Sequence, residues 1–267
     1  MFVRAWVLAL AGLALLRIDG AFGDEAGQGA AMIPVAAPVV PPPDAAAVAK
    51  PIVIVVFGDS QADGLAEGMR HLLAGRKDYK VVNRARPGSA LSQPLDYDWP
   101  AAVDKFVAAD TADVAIMMFG GNDRLPTRIA DGKPLPFRGD AWVTAYEERE
   151  KKIVNALTGA GMHVVWCGDP IASESHYSAD MEWLNERFQE ALPAGNAEYL
   201  SLWTVVADDD GHYTPYGKAL DGETRRLRGV DGIHFTGEGY QVVASRVFSA
   251  IEAWKAASAP AATARAN

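Results

Sequence analysis

Four short blocks of this chain hold residues that together could open an acyl bond. The first is Gly58-Asp59-Ser60, which follows the apolar run 52–57 and precedes a helical pattern over 61–75. A serine there sits at a strand's carboxyl end and on a helix N-terminus, where the local dipole favours developing negative charge. Asp and Ser are also the preferred helix caps, so the block alone is open to that plainer use. The second is Asp231-Gly232-Ile233-His234. An acid and a histidine three apart in a turn can meet, the carboxylate accepting from one ring nitrogen and leaving the other to take a proton from a hydroxyl. An isolated pair of this kind is equally an ordinary polar turn. Arg86-Pro87-Gly88-Ser89 and Gly120-Gly121-Asn122-Asp123 complete the set. The N–H groups of Ser60 and Gly88 with the Asn122 amide would make a three-donor oxyanion hole, and losing one such donor costs about 10²–10³ in rate. Gly and Asn also favour any turn.

These blocks need a scaffold that brings them to one place. Five apolar runs, 52–57 (IVIVVF), 80–83 (KVVN), 113–119 (DVAIMMF), 163–167 (HVVWC) and 198–203 (EYLSLW), read as strands buried on both faces. Helical stripes lie between and after them. Met181, Leu184, Phe188 and Leu192 form one; Tyr240, Val243, Val247, Ile251 and Trp254 form another, with Thr236 as its N-cap. Strand alternating with helix predicts an α/β fold, three-layer α/β/α and doubly wound around a mainly parallel five-stranded sheet. Ligands bind beyond the carboxyl ends of such strands, where Ser60, Gly88 and Asn122 all fall. Residues 124–139 and 204–230 break the alternation and read as long functional loops, the second with a hairpin at Asp210-Gly211 or Asp221-Gly222.

In residues, order and strand context the four blocks resemble the SGNH (GDSL-type) hydrolase superfamily, whose fold is flavodoxin-like, and the chain's end looks like a bacterial periplasmic branch of uncharacterised function. The resemblance spans Gly58 to His234. It implies Ser60 as nucleophile, Gly88 and Asn122 as oxyanion donors, His234 as base and Asp231 as its orienter. One departure is visible: Gln61 makes the motif GDSQ, but it follows the nucleophile and leaves the triad intact.

Rival chemistries lack their residues. Ala62 stands where an α/β-hydrolase elbow needs its second glycine, and Gln61 where a D-x-D phosphatase needs an acid. No G-x-G-x-x-G follows a strand, and there is no Walker loop and no H-E-x-x-H. Asp208-Asp209-Asp210-Gly211-His212 lacks calcium-loop spacing and reads as a solvated turn. Cys167, the single cysteine, falls in an apolar run and reads as an inert buried thiol, so no disulfide framework and no Cys-based zinc site is expected.

Composition sets the outer limits. Lys and Arg number 25 against 34 Asp and Glu, a net charge of −9 that argues against a nucleic-acid partner. Arg4 and the apolar run from Trp6 to Leu16, ended by Arg17 and Asp19, make residues 1–23 a cleavable secretory signal, too short to leave a stable membrane span. Residues 24–50, rich in Ala and Pro, read as a tether, and 51–267 as one hydrolase-like domain.

The expected activity is that of an exported, periplasmic or secreted, serine esterase that needs no metal or organic cofactor. Its expected substrate is a small acyl ester, above all acetyl, on an acylated cell-envelope glycan. Acyl transfer to a polysaccharide or peptidoglycan by the same triad, and a non-catalytic glycan-binding module, are the alternatives. Arg124, Arg128, Lys133 and Arg138 in one loop and Arg225, Arg226 and Arg228 in the other are expected to rim the cleft and draw anionic groups. Asp59, Asp123, Arg124, Arg128 and Arg228 are the candidate substrate-binding side chains.

Overall fold

A computed structural model describes residues 50–127, 133–192 and 195–258. The signal at 1–23, nearly all of the tether at 24–50, and Arg128 lie outside the described residues.

Five parallel strands form the sheet: β1 (Ile52–Gly58), β2 (Tyr79–Asn83), β3 (Val114–Met118), β4 (His163–Cys167) and β5 (Ala197–Leu200). Their order is β2-β1-β3-β4-β5. The runs rich in Val, Ile and Met become the centre, with β3 and β4 buried at every position, while the edge strands β2 and β5 are mostly half-buried. Strand β5 stops three residues short of its apolar run because the β4 register ends at Cys167 opposite Leu200, and no ladder is left for Leu202 and Trp203.

Helices cover both faces. Helices α1 (Ser60–Leu72) and α5 (Gly237–Ser258) pack over one, and α2 (Trp99–Ala109), α3 (Asp140–Gly159) and α4 (Ser175–Ala191) over the other. The stripe on α5 holds: Val243, Val247 and Ile251 are fully buried, and Thr236 Oγ1 accepts from Gly239 N as the expected cap. On α4, Met181, Leu184 and Phe188 are buried, but Leu192 is the C-cap, one residue past the helix. A short antiparallel pair, β6 (Tyr216–Lys218) and β7 (Thr224–Arg226), encloses Asp221-Gly222, and a smaller turn closed by Ala207 and Tyr213 encloses Asp210-Gly211. In that turn Asp208, Asp210 and His212 are exposed, and Asp208 Oδ1 accepts from the backbone N–H of both others.

The closest helix–helix approach is made by two glycines one turn apart on α1. A Cβ on Gly64 would lie 2.0 Å from the Tyr240 ring, and one on Gly68 would lie 2.3 Å from the Tyr240 carbonyl oxygen. Small residues here let α5 settle directly on α1. In an exposed helix interior a Gly→Ala change gains about 1 kcal/mol. At Gly68 overpacking against backbone, about 1–3 kcal/mol, outweighs that gain. Gly68→Ala is therefore expected to lower the melting temperature by several degrees, whereas Gly159→Ala, whose Cβ would touch nothing within 4 Å, does not. Equal melting temperatures for wild type and Gly68→Ala, followed by circular dichroism, would sink the tight-contact explanation.

Candidate active site

Strand β1 ends in Gly58, and the chain turns straight into α1. Asp59 takes the capping role: its Oδ1 accepts from Gln61 N at 2.9 Å. The Ser60 hydroxyl is thereby left free of the backbone, and Ser60 Oγ lies 2.8 Å from His234 Nε2. On the other side of the ring, Asp231 Oδ2 lies 2.6 Å from His234 Nδ1. Burial alone would raise the Asp231 carboxyl, but the ring and the backbone N–H groups of Ile233 and His234 hold it down at about 2. An ionised Asp231 can only accept, so Nδ1 carries the proton and Nε2 presents its lone pair to the Ser60 hydroxyl. The Asp231–His234 turn is thus an acid–imidazole pair seated on a serine, with side-chain exposures of 47% for Asp231 and 39% for His234.

The two glycine-bearing turns meet each other, and Asn122 approaches Asp59, the neighbour of Ser60. Arg86 O accepts from Ser89 N, which leaves the Gly88 N–H outside the turn's own hydrogen bond, and Gly88 has φ +77°, a backbone that favours glycine. Asn122 Nδ2 donates to Ser89 O at 2.9 Å, tying the β3 turn to the β2 turn. Its approach to Asp59 Oδ2, 3.5 Å, is too long to hold the second proton firmly. Gly88 and Asn122 line one cavity of about 310 Å³ with Ser89, Gln93, Asp96 and Arg124. A neighbouring groove of about 440 Å³ shares Gln93, Asp96 and Leu125.

The expected substrate-binding set is largely corrected. Asp59 and Asp123 are buried: Asp59 caps α1, and Asp123 Oδ1 accepts from Ser92 N at 2.6 Å. Arg228 is also wholly buried, its guanidinium donating to the carbonyls of Ile171 at 2.7 Å and Ile233 at 2.9 Å. It braces the histidine turn from beneath and offers nothing to a ligand. Arg124 does line the cleft, but it pairs with Asp180 at 2.6 Å, and Arg138 pairs with the same carboxylate at 2.7 Å. Arg225 faces Asp221 and Glu238, and Arg226 donates to the carbonyl of Arg228. The cationic rim drawn from loop composition is mostly spent inside the protein. Arg128 lies outside the described residues.

Two features escaped the sequence reading. One is the cleft wall of Gln93 and Asp96, on a segment without period or motif, which faces Leu125 of the expected 124–139 loop. The other is Asp169, at the carboxyl end of β4 in Gly168-Asp169-Pro170, a position that could have drawn notice. Asp169 is fully buried under the β3 turn, so close that a Cβ on Gly120 would lie 1.7 Å from its Oδ2. Burial pushes the Asp59 carboxyl up to about 7, Asp123 to about 6 and Asp169 well above the usual range. Of the three, Asp169 is the one held most firmly in its neutral form.

Comparison with known proteins follows the geometry. A family model described as "Protein of unknown function (DUF459)" matches residues 53–250. No curated protein matches by sequence. Among solved structures, a GDSL-like lipase from Bacteroides thetaiotaomicron superposes with a TM-score of 0.55 at 16% identity, covering 78% of this chain and 94% of that one. A catalytic mutant of an acetylxylan esterase from Geobacillus stearothermophilus gives 0.53 at 14%, covering 76% and 94%. The periplasmic domain of a lipopolysaccharide acetyltransferase from Salmonella ser. Paratyphi A gives 0.50 at 16%, covering 76% and 84%. At these identities the likeness is one of fold: the α/β sheet with its helices is that of the GDSL/SGNH hydrolases.

The buried acids leave a thermodynamic signature. Asp59 binds its proton more tightly folded than unfolded, so its contribution to stability is complete below pH 4 and is lost as pH rises through about 7. Asp59→Asn keeps the cap and never ionises. Its melting temperature relative to wild type is expected to climb between pH 5 and pH 8, and a flat difference across that range would refute a raised Asp59.

Proposed function

The chain belongs to the DUF459 family, and from that premise we propose that it is an exported serine esterase that removes small acyl groups, acetyl foremost, from cell-envelope glycans. The observation that carries this reading is the continuous relay from Ser60 Oγ to His234 Nε2 and from Nδ1 to Asp231.

In the proposed reaction Ser60 Oγ attacks the ester carbonyl carbon while Nε2 takes the hydroxyl proton. The carbonyl oxygen becomes an oxyanion, met by the N–H groups of Ser60 and Gly88 and the unspent N–H of Asn122. Collapse breaks the bond to the alcohol, which leaves with the proton from Nε2. Water then attacks the acyl-serine, gives a proton to the same nitrogen, and the acid departs as Ser60 recovers its hydroxyl. Asp231 stays ionised throughout, since its carboxyl titrates near 2.

Three observations favour hydrolysis of a small ester. The cavity beside Gly88 and Asn122, about 310 Å³, suits a short acyl group with part of a sugar ring. The acid–imidazole pair is more than a third exposed, so water has free entry. Fold neighbours include an esterase of acetylated xylan. Transfer of the acyl group to a glycan hydroxyl is the second reading, favoured by the likeness to a lipopolysaccharide acetyltransferase domain, and it uses the same acyl-serine. Export is proposed from the 1–23 leader; among the described residues no helix is long and apolar enough to cross a membrane.

The test is hydrolysis of p-nitrophenyl acetate by wild type, Ser60→Ala and His234→Ala, with folding checked by circular dichroism. Both variants are expected to fold and to lose at least about 10³ in kcat. O-acetylated glycans follow: released acetate marks the esterase, and label moved to an added glycan acceptor marks the transferase. A folded wild type with no turnover and no labelling by a serine-reactive phosphonate would overturn the esterase reading, and glycan retention by Ser60→Ala would then support a glycan-binding module.

A further inference from the structure

The residue after the nucleophile is a second tie between the two halves of the site. Gln61 is 3% exposed on the first turn of α1, and both ends of its carboxamide are engaged. Its Nε2 donates to the Ile233 carbonyl at 2.9 Å, and its Oε1 accepts from the Tyr240 hydroxyl at 3.1 Å. Ile233 is the neighbour of His234, and Tyr240 lies on the first turn of α5. The bond from Ser60 to His234 is therefore flanked by a bond from Gln61 to Ile233.

We propose that Gln61 is a positioning residue that latches the histidine turn to the nucleophile's helix and so fixes the distance and tilt of His234 Nε2 toward Ser60 Oγ. This rests on the esterase reading of Ser60 and His234. A single hydrogen bond fixes a distance and leaves rotation about its axis free; two side by side fix both. Arg228 donates to the same Ile233 carbonyl, but its other partners, Ile171 and Gly232, lie off α1, so it stiffens the turn without registering it on Ser60. The Ile233 carbonyl, which can only accept, selects the amide's orientation, and the Tyr240 hydroxyl holds the other end. A leucine or methionine at 61 would fill the volume and make neither bond.

Gln61→Met removes both polar ends at nearly constant length. With p-nitrophenyl acetate, kcat is expected to fall about 10- to 100-fold, the scale of a small misplacement of reacting groups, with KM within twofold of wild type. Tyr240→Phe, which removes the bond that anchors Oε1 to α5, is expected to lower kcat severalfold. The second readout is the ¹H resonance of His234 Nδ1–H, expected to be protected in wild type and broadened by exchange with water in Gln61→Met. In an active enzyme kcat decides: wild-type kcat in folded Gln61→Met overturns the positioning role, while loss in Ser60→Ala keeps the esterase reading. If wild type turns over no ester, that reading falls. The His234 resonance then decides for Gln61, unchanged line shape overturning the latch. Should Gln61→Met fail to fold, the same two readouts on Tyr240→Phe decide.

Discussion

The site depends on one contact: the seating of α5 on α1 through Gly64, Gly68 and Tyr240. Ser60 and His234 are 174 residues apart in sequence, and their 2.8 Å hydrogen bond exists only while the starts of these two helices keep a fixed spacing. A Cβ at Gly68 would press on the Tyr240 backbone, 2.3 Å away, and push α5 outward, while one at Gly64 would displace the Tyr240 ring. Both helices begin at the same end of the sheet, so their free N–H groups and dipoles converge there and favour negative charge. The packing that stabilises one layer of the fold thus also sets the electrostatics of the cleft.

The strand order does the rest. In a β2-β1-β3-β4-β5 sheet the chain's direction of growth reverses between β1 and β3, and a crevice opens where the turns after them diverge. Ser60 follows β1 and Asn122 follows β3, so the proposed nucleophile and the side-chain oxyanion donor flank that crevice. Gly88, after β2, is drawn in by the bond from Asn122 to Ser89 O. Beneath the β3 turn, Asp59, Asp123 and Asp169 are desolvated enough to favour their neutral forms. Asp59 and Asp123 still accept backbone N–H groups, from Gln61 and Ser92.

Much of this was legible from local pattern. The five apolar runs located all five strands, because a strand buried on both faces has no polar alternation to blur it. Asp231-x-x-His234 was legible for a similar reason: a three-residue separation in a turn is short enough for the sequence to dictate the contact. Helices α2 and α3 were not identified. Asp98 and Pro100 did mark the start of α2, but α3 starts at Gly139 with no side-chain cap, and its buried face mixes Glu150 with Trp142 and Tyr146. The largest miss, the cationic rim, has a plain cause. Arg124 meets Asp180 across 56 residues, and nothing in a loop's composition says which acid on a distant helix will come to face it.

Those pairings alter what the cleft can recognise. Arg124 touches the cavity wall, but it shares the Asp180 carboxylate with Arg138 and its guanidinium lies over the Tyr177 ring, 4.9 Å from the centroid. To bind an anion it would have to share or leave a carboxylate 2.6 Å away, and a surface pair of this type is worth only about 0–1 kcal/mol. The energy is small, and since Arg138 shares the same carboxylate, the two arginines and one acid together keep a net positive charge. Asp96, on the same wall, adds the wrong sign for an anion. Gln93, Ser89 and the two glycine turns add shape and neutral hydrogen-bonding groups to the same wall.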